Sequence, residues 1–240
     1  YGSDVGVYKS TDGGANWAPA SSDVFGPNIV YALVLDPSDP QTIYAGSAGS
    51  VLNKSTDGGA TWSWLNMGDG IAKDLSFYAF AIHPSAPQTL YAGTTAGVIK
   101  STDAGANWVG SSTLITAASV WDLAADPSAP QTLYAATRGS GVFKSTDGGI
   151  RWTPINAGLT GSSFYDLTMD PSSPQTLYAP GAGLFKTTNG GANWTQTGLA
   201  DVSLYTLAID PSTPATMYAG SAGLGIYKST NGGANWATVN

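Results

Sequence analysis

The chain has 240 residues, 31 of them Gly and 14 Pro, with a formal charge of −7 and no Cys. All 16 acidic residues are Asp, nine residues are basic, and His83 is the single histidine. A nucleic-acid groove is excluded, because phosphates need clustered Lys and Arg; so are disulfides, Cys nucleophiles and thiolate or multi-histidine metal sites. No apolar run reaches the length of a membrane span. With no Glu and many Tyr, Trp, Gly and Pro, the composition argues for strands and tight turns over helices. No signal peptide is visible, and the start at Tyr1 in place of an initiator methionine reads as a processed or excised product.

In chain order, the segment 1–22 is a half module holding Lys-Ser-Thr-Asp-Gly-Gly-Ala-Asn-Trp at Lys9 to Trp17. Module 23–66 contains a second unit, Asp-Pro-Ser-Asp-Pro-Gln-Thr-Ile-Tyr at Asp36 to Tyr44, and then a copy of the first at Lys54 to Trp62. The pair recurs at His83 to Tyr91 and Lys100 to Trp108 in module 67–112, and at Asp126 to Tyr134 and Lys144 to Trp152 in module 113–156. It recurs again at Asp170 to Tyr178 and Lys186 to Trp194 in module 157–198, and at Asp210 to Tyr218 and Lys228 to Trp236 in module 199–240. Successive first units lie 45, 46, 44, 42 and 42 residues apart. Self-similarity at this period decides the architecture.

Each full module reads as four short strands, A to D. In the last module these are Leu204 to Ile209, Thr216 to Ala219, Gly225 to Ser229 and a strand beginning near Asn235. Asp-Pro-Ser-x-Pro makes the A–B turn, and Thr-Asp/Asn-Gly-Gly makes the C–D turn, where Gly supplies positive φ. The expectation is an all-β propeller of four-stranded antiparallel blades, a single domain over 1–240 with five full modules and an N-terminal half module. The count, about 22 strands, leaves three readings open. A ring of six positions, completed by another chain or by further residues, is favoured over a ring of five with a spare hairpin. The third reading is a stretch of a longer array. Unpaired edges in an incomplete ring predict self-association or completion by another chain.

The first unit resembles the Asp-box, or BNR, repeat (Ser/Thr-x-Asp-x-Gly-x-x-Trp) of sialidases, sortilin-type receptors, family-74 xyloglucan hydrolases and photosystem assembly factors. Asn189 and Asn231 replace its Asp, and Ala104 replaces a Gly. Because Asn serves in the slot, Asp12, Asp57, Asp103 and Asp147 are read as structural acceptors holding the C–D turn, alongside Asn189 and Asn231. Trp17, Trp62, Trp108, Trp152, Trp194 and Trp236 are read as packing between neighbouring modules. The lysine that opens each copy is assigned a pairing role in the scaffold. The sequons at Asn53 and Asn193 fall beside or inside these copies and carry little weight.

Function is expected on the face of the D–A and B–C loops, which vary while the other turns repeat. The longest D–A loop, Ser63 to Ser76, holds Trp64, Met67, Asp69, Lys73 and Asp74, and Trp64 is read as a lid on its own module or, alternatively, a stacking platform. Strand A repeats an aromatic at Tyr31, Tyr78, Trp121, Tyr165 and Tyr205, expected to pack between modules with the Leu or Phe two residues on. Next to that aromatic, Ala32, Ala79 and Thr206 give way to Asp122 and Asp166 in two successive modules. Adjacent modules should bring these carboxylates together with Arg138 beside them, solvated or paired with Arg138, or else as a weak cation or ligand site. No cofactor is called for otherwise. His83 is read as a turn variant of Asp.

The resemblance implies that a sialidase would need three arginines and a Tyr/Glu pair. Arg138 and Arg151 are the only arginines here, so sialidase activity is excluded. The leading expectation is a non-catalytic binding or architectural module of a secreted, periplasmic or cell-surface protein, with a protein or glycan partner. The alternative is a fragment of a family-74-like polysaccharide hydrolase, whose members resemble two propellers facing across a cleft.

Overall fold

Gly- and Pro-bounded runs of β-branched and aromatic residues fold here as strands alone. The computed structural model describes residues 2–3, 6–20, 28–49, 51–68, 71–72, 74–110, 115 and 118–239. Among them are 23 strands and no helix, and so no helix long and apolar enough to cross a membrane. The chain divides into two compact units, Tyr1–Ser112 and Thr113–Asn240.

The first unit begins with a three-stranded sheet of β1 (Gly2–Ser3), β2 (Gly6–Lys9) and β3 (Ala18–Pro19). A four-stranded sheet follows: β4 (Val30–Asp36), β5 (Asp39–Ser47), β6 (Leu52–Ser55) and β7 (Ser63–Trp64). The next is β8 (Phe77–Ile82), β9 (Leu90–Thr94), β10 (Gly97–Ser101) and β11 (Val109–Gly110). The second unit has three more four-stranded sheets. They are β12 (Ser119–Ala125), β13 (Leu133–Arg138), β14 (Val142–Ser145) and β15 (Thr153–Pro154); then β16 (Thr168–Asp170), β17 (Ser173–Gly181), β18 (Gly183–Thr187) and β19 (Thr195–Gln196). The last is β20 (Leu204–Ile209), β21 (Met217–Ser221), β22 (Ile226–Ser229) and β23 (Ala237–Thr238). Every sheet is an antiparallel meander in chain order, so the fold is the expected half module plus five full propeller blades. The half module carries one strand more than the sequence count, because Gly2–Ser3 pairs with β2.

The C–D turn is a local network. In the fourth module the Ser145 hydroxyl donates to Asp147 Oδ1 (2.9 Å) and accepts from the Gly149 N–H (2.9 Å), while Asp147 Oδ1 accepts the Arg151 N–H (2.9 Å). Gly148 and Gly149 follow at φ +69° and +85°, a region that L side chains avoid. Where Asn189 stands in the Asp slot, its Oδ1 accepts the Asn193 N–H at 3.0 Å and the Thr187 hydroxyl at 2.8 Å. The turn needs an acceptor oxygen and no charge.

Modules are joined by a contact that the sequence marks only as a lysine before each turn. Lys144 pairs across the sheet with Tyr134 and lays its ammonium over that ring at 5.1 Å; Lys54 does the same to Tyr44 at 5.2 Å. Each ammonium then donates to a carbonyl in the next module's C–D turn: Lys9 to Gly58 (2.9 Å), Lys54 to Ala104 (3.5 Å) and Lys144 to Gly190 (3.1 Å). The turn's tryptophan completes the joint from the other side. Trp62 Nε1 donates to Ala20 O (2.6 Å) and Trp194 Nε1 to Ile155 O (2.7 Å), both in the preceding module.

One core position breaks the pattern. Asn53 on β6 occupies the slot that holds Tyr8, Ile99, Phe143, Phe185 or Tyr227 before the lysines of the other turns, and it is fully buried. Neither its amide nitrogen nor its oxygen meets a partner among the described residues. An unsatisfied buried amide costs about 1–3 kcal/mol, and an apolar group of similar shape removes that cost. Asn53→Leu is therefore expected to raise stability by about 1–2 kcal/mol in urea melts, and a lower midpoint would contradict this account. Full burial also closes the sequon at Asn53 in the folded chain.

Candidate functional site

Strand A opens each full module and leaves one edge of its backbone unpaired. In four modules its register slips at the same place: between Val30 and Ala32, Phe77 and Ala79, Val120 and Asp122, and Leu204 and Thr206. The extra residue is each time the repeated aromatic: Tyr31, Tyr78, Trp121 or Tyr205. A bulge turns its residue out of the pleat. The bulged rings therefore leave the face that alternation had them share with the Leu or Phe two residues on, and meet the rings of neighbouring modules. Tyr205 is 52% exposed and Tyr31 44%, whereas Leu123, Leu167 and Leu207, two residues past the aromatic slot, are buried.

In the second unit the rings form a ladder. Trp121 meets Tyr165 edge-on at 5.5 Å between centroids, and Tyr165 meets Tyr205 at 4.9 Å. The Arg138 guanidinium, at the end of β13, lies over the Trp121 ring at 5.9 Å. In the first unit Tyr31 and Tyr78 make a separate pair at 5.1 Å.

Asp122 and Asp166 each follow a ladder ring, and the structure explains why they replace alanine. Asp122 Oδ2 accepts the Leu167 N–H at 2.7 Å. Asp166 Oδ2 accepts the Leu207 N–H at 2.7 Å and the Thr206 hydroxyl at 2.8 Å. Each carboxyl thus reaches into the following module and covers a donor on the edge of its A segment. Burial, and then the charge of Asp166, push Asp122 up to about 8 against the opposing pull of the Leu167 and Leu123 N–H groups. The bonding is that of a clamp rather than of a cation cradle. Among the described residues no group of three or more His, Asp or Glu side chains could hold a metal. Arg138, expected to pair with the carboxylates, instead covers the Trp121 ring.

Tyr165 and Tyr205 also line a hollow of about 270 Å³ with Ser162, Ser163, Ser203 and Ala182. Its walls come from D–A and B–C segments, and backbone bridges Arg138–Ser163 and Ala182–Ser203 fix its rim. A larger hollow of about 500 Å³ lies in the first unit between the turns of Asp12 and Asp57, whose oxygens are already committed to turn hydrogen bonds.

The remaining sequence candidates are placed differently. Trp64 lies on β7, not in a loop, and is 60% exposed, so it is no lid. The segment after it sends Met67, Ile71 and Leu75 into the core of the first unit; Asp69 and Lys73 lie outside the described residues. His83 sits in the A–B turn, its N–H on Thr89 O at 2.9 Å and its carbonyl accepting from Ala86. The ladder itself is not legible in the strand pattern. In a regular strand the aromatic and the Leu two residues on share one face; the bulge separates them at Trp121 and Tyr205, and Tyr165 precedes β16 altogether.

No protein-family model and no curated protein matches the chain. Solved structures do resemble it. The GH74 enzyme of Niastella koreensis is 21% identical over 98% of this chain and 42% of its own, with a TM-score of 0.78. The GH74 xyloglucanase from Xanthomonas campestris is 17% identical over the same shares, with a TM-score of 0.79. YCF48 bound to D1 peptide is 19% identical over 95% of this chain and 72% of its own, at 0.72. At such identities the likeness shows the fold. This chain spans about two fifths of the length of the two GH74 enzymes. The expectation that it is not an enzyme is corrected by these matches, since nearly the whole chain shares its fold with GH74 enzymes.

Proposed function

We propose that this chain is a glycan-facing propeller of a secreted or surface polysaccharide hydrolase of the family-74 type, with the D–A/B–C face of its second unit against the sugar. The ladder Trp121–Tyr165–Tyr205 carries the reading. Aromatic rings turned off a rigid sheet edge, beside a hollow lined with hydroxyls, combine apolar faces with polar groups that fix orientation, as a sugar site requires. The Asp-box likeness of the six turns and the GH74 fold support it. Asp122 and Asp166 act here as positioning residues. Their oxygens are engaged by the Leu167 and Leu207 N–H groups and the Thr206 hydroxyl, whereas the carboxyls of a glycosidase face the bond they cleave. Their clamps hold three successive A segments, and so the spacing of the rings.

Retention on xyloglucan and other β-linked polysaccharides tests the proposal. The Tyr165→Ala, Tyr205→Ala double variant is expected to weaken binding at least about tenfold, the loss of roughly 1.4 kcal/mol of ring contact. A reducing-sugar assay on the bound glycan then tells whether cleavage occurs in this chain or in a facing partner. Absence of binding to every polysaccharide on an array would defeat the reading.

A further inference from the structure

The hollow of about 270 Å³ between Tyr165 and Tyr205 has a chemistry of its own. Besides the two rings it is lined by Ser162, Ser163 and Ser203 and by Gly and Ala, with no charged side chain. Serines of the repeated turns are committed: the hydroxyls of Ser128, Ser145, Ser172 and Ser212 each donate to an aspartate at 2.6 to 2.9 Å. Among the described residues no hydrogen bond engages the hydroxyl of Ser162, Ser163 or Ser203. Their backbones, by contrast, are pinned. Ser162 O accepts the Gly139 and Gly141 N–H groups at 2.9 and 2.8 Å, and bridges join Ser163 to Arg138 and Ser203 to Ala182.

Three hydroxyls are thus carried on a fixed frame with their hydrogen bonds still to be made. Each can donate and accept, so together they match the hydroxyls of a sugar in either sense. The volume, at the small end of ligand pockets, admits one sugar ring and not a stretch of chain. Charge narrows the ligand further. Asp166 follows Tyr165 directly and accepts the Thr206 hydroxyl, next to Tyr205, at 2.8 Å, which sets a carboxyl beside both walls. Arg138 lays its guanidinium over the Trp121 ring at 5.9 Å and is not part of the lining. An anionic ligand would enter without a counter-charge, against a chain of −7.

We propose that this hollow is a subsite for one neutral sugar residue and rejects residues that bear a carboxylate, which rests on the glycan reading and confines it to uncharged polysaccharides at this face.

Calorimetric titration of the 240-residue chain is the test. The ligands are a cello-oligosaccharide and the same oligosaccharide with every primary hydroxyl oxidised to a carboxylate. The parent is expected to bind at least about tenfold more tightly, at about 50 mM and at about 500 mM salt alike. Salt screens the charge of the whole chain but not the cost of burying a carboxylate in the hollow. Ser203→Lys adds a cation to the lining. It is expected to tighten the oxidised ligand at least about tenfold while the parent shifts by less than about threefold. Should that variant melt at a lower temperature, Ser162→Lys supplies the cation from an exposed position instead. Equal affinity for the two ligands, discrimination that disappears at high salt, or no gain from the added lysine overturns the proposal and leaves the glycan reading standing. So does a preference for the oxidised ligand that Arg138→Gln removes, since it would put that guanidinium in the site. A chain that binds neither ligand defeats the glycan reading, and the subsite with it.

Discussion

Raising the pH from about 5 to about 9 is expected to lower the chain's melting temperature, and Asp122→Asn is expected to remove most of that loss. The sign follows from where the proton sits. Asp122 is pushed up from 3.8 to about 8 by burial and by Asp166. Between those values the folded chain keeps a proton that the unfolded chain has released. Its contribution is therefore complete below pH 3.8 and disappears as pH rises through 8. Every tenfold change in proton affinity is worth about 1.4 kcal/mol, so an effect of a few kcal/mol is at stake. The amide that replaces the carboxyl in the variant still accepts the Leu167 N–H and does not titrate. General charge repulsion also grows with pH in a chain of −7, which is why the comparison with the variant is decisive. Equal pH slopes for the two proteins would show that the clamp carries no proton.

At the acid end the slope reverses. Asp12 and Asp57 are held down at about 2, chiefly by side-chain hydrogen bonds from Asn16 and Thr61. Their contribution is present above 3.8 and is lost as pH falls toward 2. These groups together place the stability maximum in mild acid.

Trp152→Ala is expected to cost about 3–5 kcal/mol, while Trp17→Ala costs within about 0.5 kcal/mol at concentrations where the chain is monomeric. Both residues end the same nine-residue motif. Trp152 is wholly buried, with its Nε1 donating to Gly149 O at 3.1 Å. Removing it leaves a void the size of an indole in a close-packed core. Trp17 donates to Gly14 O at 3.1 Å as well, but it stands more than half in solvent. Urea melts of both variants measure the difference. Equal costs would mean that Trp17 is covered in solution.

The contrast between these two tryptophans shows how far a repeat can be read from its letters. The turn was legible because its bonds are local: Ser145 to Asp147 spans two residues and Asp147 to Arg151 four. Any chain carrying those letters at those intervals can close the same loop, and Asn231 closes it as well as Asp. The module count was legible for the same reason. Burial was not. It depends on a neighbour a whole module away in the chain, and nothing within Lys9 to Trp17 says whether that neighbour is there.

The aromatic of strand A makes the same point from the other direction. Alternation put Tyr31 and Leu33, or Tyr205 and Leu207, on one face, and alternation is the best guide when a ladder is regular. The bulge cancels it for one residue only, and a bulge is a property of two strands in register. Asp122 and Asp166 were singled out because they interrupt a run of small residues. Their proximity was expected; their partners, main-chain N–H groups 45 and 41 residues further on, were not.

The amino-acid sequence by itself determined the repeat, the four-strand meander and the C–D turn, since hydrogen bonds between near neighbours and fixed-φ residues specify these wherever they occur. Only the tertiary structure decided which ring is covered, which way a bulged side chain faces and where a carboxyl finds its donor. Those outcomes belong to pairs of strands brought together across whole modules, and their energies exist only once the modules have met.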